Sequence, residues 1–97
     1  MRVLGFDWDE RNLRKLERHD LDPDSVEEIF AGPDLVVLRH PSKEGRYFAL
    51  GFAPDGRFVL AVFEHDRETR WVRVVTAYEP TNPRWWNEYA KLKERRG

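Results

Sequence analysis

An α+β fold, with an antiparallel sheet of about four strands flanked by three helices, follows from three features of the chain. The apolar period changes from helical to alternating after Asp34. Two helix starts, at Asp9 and at Asp22-Pro23, precede that change, and a third, Asn82-Pro83, follows the last alternating run. A chain of 97 residues holds one core, so the helices must pack on the strands within a single domain, residues 1–97.

In chain order, residues 3–8 (VLGFDW) predict a short first strand. Asp9 then caps a helix running to about His19, with Trp8 and Leu13 at the spacing of a hydrophobic staple. Asp22 as N-cap and Pro23 at the first helical position start a second helix to about Ala31, which buries Val26, Ile29 and Phe30. The apolar run Leu35 to Leu38 precedes a loop around Pro41 to Glu44. Phe48, Leu50 and Phe52 then alternate with Tyr47, Ala49 and Gly51. Ala53-Pro54-Asp55-Gly56 has turn chemistry, so residues 46–52 and 57–64 predict a hairpin. Residues 70–77 predict a further strand, with Val72, Val74 and Thr76 on one face and Trp71, Arg73, Val75 and Ala77 on the other. In the last helix, Trp85, Tyr89 and Leu92 recur at i, i+4 and i+7, an apolar stripe suited to the sheet.

Composition narrows the functional classes. There is no cysteine, which excludes a disulfide scaffold, thiolate zinc sites and a cysteine nucleophile. The longest apolar run, Leu35 to Leu38, is far short of the ~20 residues of a membrane helix. The N-terminus shows no basic segment followed by an apolar stretch, so the expectation is a soluble cytoplasmic protein without a membrane partner. The formal charge of −1 conceals an asymmetry, because residues 1–34 carry a net −5 and residues 35–97 a net +4. A basic second part presents cations to phosphate while the whole stays near neutral.

Common catalytic signatures are missing. No GxxxxGK[ST] or HExxH occurs, no serine sits in a glycine elbow, and His19, His40 and His65 are too scattered for metal-ligand spacing. Neither a metal nor an organic cofactor is expected. What remains suits phosphodiester chemistry. Metal-free RNA cleavage needs a base for the 2′-OH proton, an acid for the leaving oxygen and fixed cations for the phosphorane charge. Glu64 and His19 are candidates for proton exchange, and Arg46, Arg70 and Arg73 for a bidentate phosphate clamp. Lys15 stands four residues before His19 and shares its helix face. Trp71 and Trp8 are candidate aromatic contacts for RNA, with Trp8 also supporting the entry to the first helix. Each has a structural alternative: His19 capping its helix, Glu64 pairing across strands, the tryptophans packing.

The order of motifs resembles a known family. FDWDERNLRKLERHDLDPDSVEEIF is similar to the opening F-x-W-D-x-x-K/N…K-H-G-V/I…E-E-x-x-x-x-F of the BrnT toxins, RelE-like ribonuclease partners of BrnA antitoxins in bacterial type II modules. GRYFALGFAPDGRFVLAVFEH resembles the family hairpin, and VRVVTAYEPTNPRWWNEY its terminal block, so the likeness runs from Phe6 to about Tyr89. The resemblance implies a RelE/BrnT-like sheet, cleavage of messenger RNA, and neutralisation by a small BrnA-like antitoxin that also binds DNA. It leaves homo-oligomerisation open. Positions that carry over are Trp8, Lys15, His19, Arg46, Glu64 and Arg73. Three departures stand out: Tyr78 where the family commonly has arginine, Asp20 in place of the glycine after His19, and Glu79-Pro80-Thr81-Asn82-Pro83 in place of the usual ending. A catalytically weak relative that works by binding is the alternative expectation.

Overall fold

The computed structural model describes residues 2–96. Among them the elements run β1 (Gly5–Phe6), α1 (Glu10–Arg18), α2 (Pro23–Ala31), β2 (Val36–Arg39), β3 (Arg46–Phe52), β4 (Phe58–His65), β5 (Trp71–Tyr78) and α3 (Pro83–Arg96). One sheet of order β1-β5-β4-β3-β2 holds all five strands. The fold is α+β as expected, with one correction. The sheet has five strands and is mixed, because β1 pairs parallel to β5, Gly5 with Trp71 and Phe6 with Val72. Only two residues of the expected first strand pair, and their partner lies some 65 residues along the chain. Backbone bonds from Leu4 N–H to the Arg70 carbonyl (2.8 Å) and from Asp7 N–H to the Val72 carbonyl (2.8 Å) fix that edge. Such a pairing leaves no local signal.

The caps form where the acidic residues stand. Asp9 accepts from Asn12 N–H at 2.8 Å and Asp22 from Ser25 N–H at 2.7 Å, each satisfying a donor that the first helical turn leaves free. α1 and α2 bury Leu16, Val26 and Ile29 against Ala49, Val59, Ala61, Phe63, Val72 and Val74 on one face of the sheet. α3 lays Tyr89 over Val36, Leu50 and Leu60 on the other, with Trp85 and Leu92 beside it as their spacing predicts. The α3 cluster leaves out Arg46, Glu64 and Arg73. One end of that second face is therefore free of apolar cover.

Between β4 and β5 the register slips: Val62 faces Thr76, but Phe63 faces Val74. Val75 is the extra residue of a β-bulge. The bulge corrects the expected faces of β5, because Ala77 joins Val72 and Val74 in the helix-side core while Thr76 crosses to the other face. Strict alternation from residue 70 to 77 cannot anticipate that switch. The bulge also leaves the Val75 carbonyl available, and Lys15 Nζ reaches it at 3.4 Å from α1.

Candidate active site

Hairpin register places the chemistry. Arg46 faces Glu64 across β3 and β4, and Glu64 faces Arg73 across β4 and β5, so the three side chains form one row on one face. The turn that sets the hairpin is closed by Gly56 N–H to the Ala53 carbonyl and Ala53 N–H to the Arg57 carbonyl, both at 2.9 Å. Arg46 Nη2 meets Glu64 Oε2 at 3.2 Å. At the other end of the row, Arg73 Nη2 meets Asp9 Oδ2 at 3.1 Å. The cap of α1 thus has a second task, orienting an arginine. Its carboxyl is held below the ordinary range chiefly by the Asn12 N–H, with the Arg73 guanidinium adding to the effect.

Arg46, Glu64, Arg73, Lys15, Arg11 and Asn12 line a concavity of about 220 Å³. Four cations and one carboxylate make its lining suited to an anion. Two polar atoms there are buried without a partner, Arg46 Nε and Asn12 Oδ1. Arg73 and Glu64 also line a second concavity, about 520 Å³, together with Trp71 and Asp7.

Of the other expected site residues, Trp71 is exposed at the rim of that second concavity. Arg70 is exposed at the end of the loop before β5, in a left-handed conformation (φ 62°), and lines neither concavity. Trp8 is turned elsewhere: its indole N–H donates to Glu27 at 2.9 Å and its ring stacks on Phe6, tying α1 to α2. His19 forms the C-cap of α1, its ring 5.7 Å from that of Tyr78. It does not line the concavity, although it stands one helical turn beyond Lys15 along β5. Arg11 and the Asp9–Arg73 pair carry no signal in the sequence that points to the site. Asp9 was legible as a cap, but its reach to β5 was not. Among the described residues no group of three or more His, Asp or Glu is gathered to hold a metal ion.

Comparison with known proteins bears on the same residues. No curated protein matches the chain at a significant level. The family model described as the ribonuclease toxin, BrnT, of type II toxin-antitoxin systems matches residues 8–82, which takes in α1 through β5 and every residue of the cationic concavity. This chain belongs to the BrnT family of ribonuclease toxins of type II toxin-antitoxin systems.

Proposed function

We propose that the chain is an endoribonuclease that cleaves RNA on its own side chains, without a metal ion, and that it is the toxin held in check by a BrnA-like antitoxin. The observation that carries this reading is the row Arg46–Glu64–Arg73 opening, with Lys15, on one concavity. The scissile phosphate binds there, between two guanidinium forks and an ammonium, where charge developing on the phosphorane is neutralised by groups already in place. Glu64 is the base that takes the 2′-OH proton; its side chain is 46% exposed and so is open to substrate. His19, one turn beyond Lys15 and packed on Tyr78, stands outside the concavity and contacts RNA along the seam between α1 and β5, while the proton for the leaving 5′-oxygen comes from the Lys15 ammonium, which lines the concavity. RNA therefore lies along that seam. The protein works in the cytoplasm, where messenger RNA is translated, and no helix among the described residues is long and apolar enough to cross a membrane.

A second reading has one observation in its favour. Tyr78 replaces the arginine common in the family and packs against His19 rather than supplying a cation. On that reading the chain binds RNA or antitoxin and turns over slowly. Purified protein incubated with RNA, with and without EDTA, separates the two. Cleavage unchanged by EDTA supports the metal-free nuclease, cleavage abolished by EDTA refutes metal independence, and intact RNA in both leaves the binding protein.

A further inference from the structure

The larger concavity is unlike the cationic one beside it. Asp7, Glu64, Asp66, Thr69 and Arg73 line it beside His65 and Val72, and its broad apolar surface is the indole of Trp71, 48% exposed. Its volume, about 520 Å³, lies within the ~300–1,000 Å³ usual for small-ligand sites. Three carboxylates repel a phosphate from this concavity. The group that fits is flat, neutral and rich in N–H donors, and it must be continuous with whatever occupies the phosphate site, since Glu64 and Arg73 belong to both.

Trp71 is held ready for such a group. A Cβ on Gly5 would come within 3.0 Å of three atoms of the indole at once, so the ring lies face-down on the glycine backbone of β1. Any other residue at position 5 would lift it. With one face on β1, the other is left for a partner, and stacking on a fixed aromatic plane is how unpaired bases are held. Asp7 stands two residues beyond Gly5, on the same face of the sheet, anchored by its N–H to the Val72 carbonyl at 2.8 Å.

Building on the nuclease reading, we propose that this concavity is a nucleobase subsite for guanine next to the scissile phosphate, with Trp71 as its platform and Asp7 as the residue that reads the base. Guanine alone among the four RNA bases presents two adjacent donors, N1–H and the 2-amino group, which match the two oxygens of a carboxylate. Adenine and cytosine place a ring acceptor beside their amino group, which a carboxylate repels, and uracil offers a single N–H. Asp66 is the poorer reader because its Oδ1 already accepts from Glu68 and Thr69 N–H at 2.8 and 3.1 Å.

The test uses the whole chain and free nucleotides, and does not depend on RNA cleavage. Titration with guanosine, inosine and adenosine 5′-monophosphates is followed at the indole N–H resonance of Trp71, assigned by its loss in Trp71→Phe. The expected result is a shift of that resonance by the guanine nucleotide at about tenfold lower concentration than by the adenine one, as one good bidentate contact confers. Inosine monophosphate, lacking the 2-amino group, falls between, and Asp7→Asn abolishes the difference. Equal response to guanine and adenine nucleotides, no response of Trp71 to any of them, or a preference that survives Asp7→Asn would overturn the proposal. Selective guanine binding by a protein that leaves RNA intact keeps the subsite and removes the nuclease, whereas RNA cleavage without that selectivity does the reverse.

Discussion

Arg73 and Glu64 contribute little to the folded core, since their side chains are 53% and 46% exposed, and that separates chemistry from stability. Arg73→Ala and Glu64→Gln are each expected to lower kcat/KM by about a hundredfold or more, the usual scale for losing a proton-transfer or charge-stabilising group, with melting temperature nearly unchanged. Parallel loss of activity and stability would assign them to structure instead. Arg46 differs, because its Nε is buried and unpartnered and its guanidinium is tied to Glu64. Arg46→Lys keeps the charge but not the fork, so activity should fall while binding of single-stranded RNA persists. Tyr78→Arg restores a cation beside His19 at the expense of packing against Leu60. Turnover should rise as melting temperature falls, and an unchanged rate would show that the lack of an arginine at position 78 does not limit catalysis. The pairing of Arg46 with Glu64 was legible because a turn at 53–56 leaves one register for residues on either side. Where His19 points was not: helix periodicity set it on the Lys15 face, but α1 ends at Arg18 and the ring turns to Tyr78.

Helix caps and turns in this chain depend on ionised aspartates. Asp9 and Asp22 hold helix N-termini, and Asp55 and Asp66 hold the turns before β4 and β5, each accepting backbone N–H bonds that lower its pKa from the ordinary 3.8. All four ionise more readily folded than unfolded, so their contribution is complete above pH 3.8 and is lost as pH falls through the lowered folded values. Melting temperature should fall with acid below that point, and Asp22→Asn, which keeps an acceptor without a titrating proton, should make the fall shallower. An identical acid profile for the variant would remove Asp22 from the account. The caps were readable because Asp-x-x pairs act within one turn. The bulge at Val75 and the β1–β5 edge were not, since both depend on partners fixed only when distant strands meet. Phe63, packed edge-on to Phe30 with ring centres 4.9 Å apart and stacked on Tyr47, anchors the strand beside that bulge. Phe63→Ala should cost about 3–5 kcal/mol in urea unfolding.

At the scale of the whole molecule, the acidic first third and basic remainder of the chain do not divide into an acidic and a basic face. α1 contributes Arg11 and Lys15 to the same concavity as Arg46 and Arg73, so cations from both parts of the sequence converge while Asp7, Asp66 and Glu64 collect next door. The separation that matters lies between two adjoining concavities, one suited to phosphate and one that excludes it. Binding of single-stranded RNA should therefore depend on salt only modestly for a nucleic-acid protein. Four cations around one small concavity engage about two or three phosphates, and each phosphate neutralised on a single strand contributes roughly −0.7 to the slope of log K against log salt. A slope of about −1.4 to −2.1 is expected, and Arg73→Ala should reduce its magnitude by roughly 0.7. Fluorescence anisotropy of a labelled RNA oligonucleotide from low to moderate salt measures both. A slope several times steeper would mean that RNA spreads over the outer basic residues of α1 and α3 instead of the seam beside β5, and the row Arg46–Glu64–Arg73 would lose its claim to the scissile phosphate.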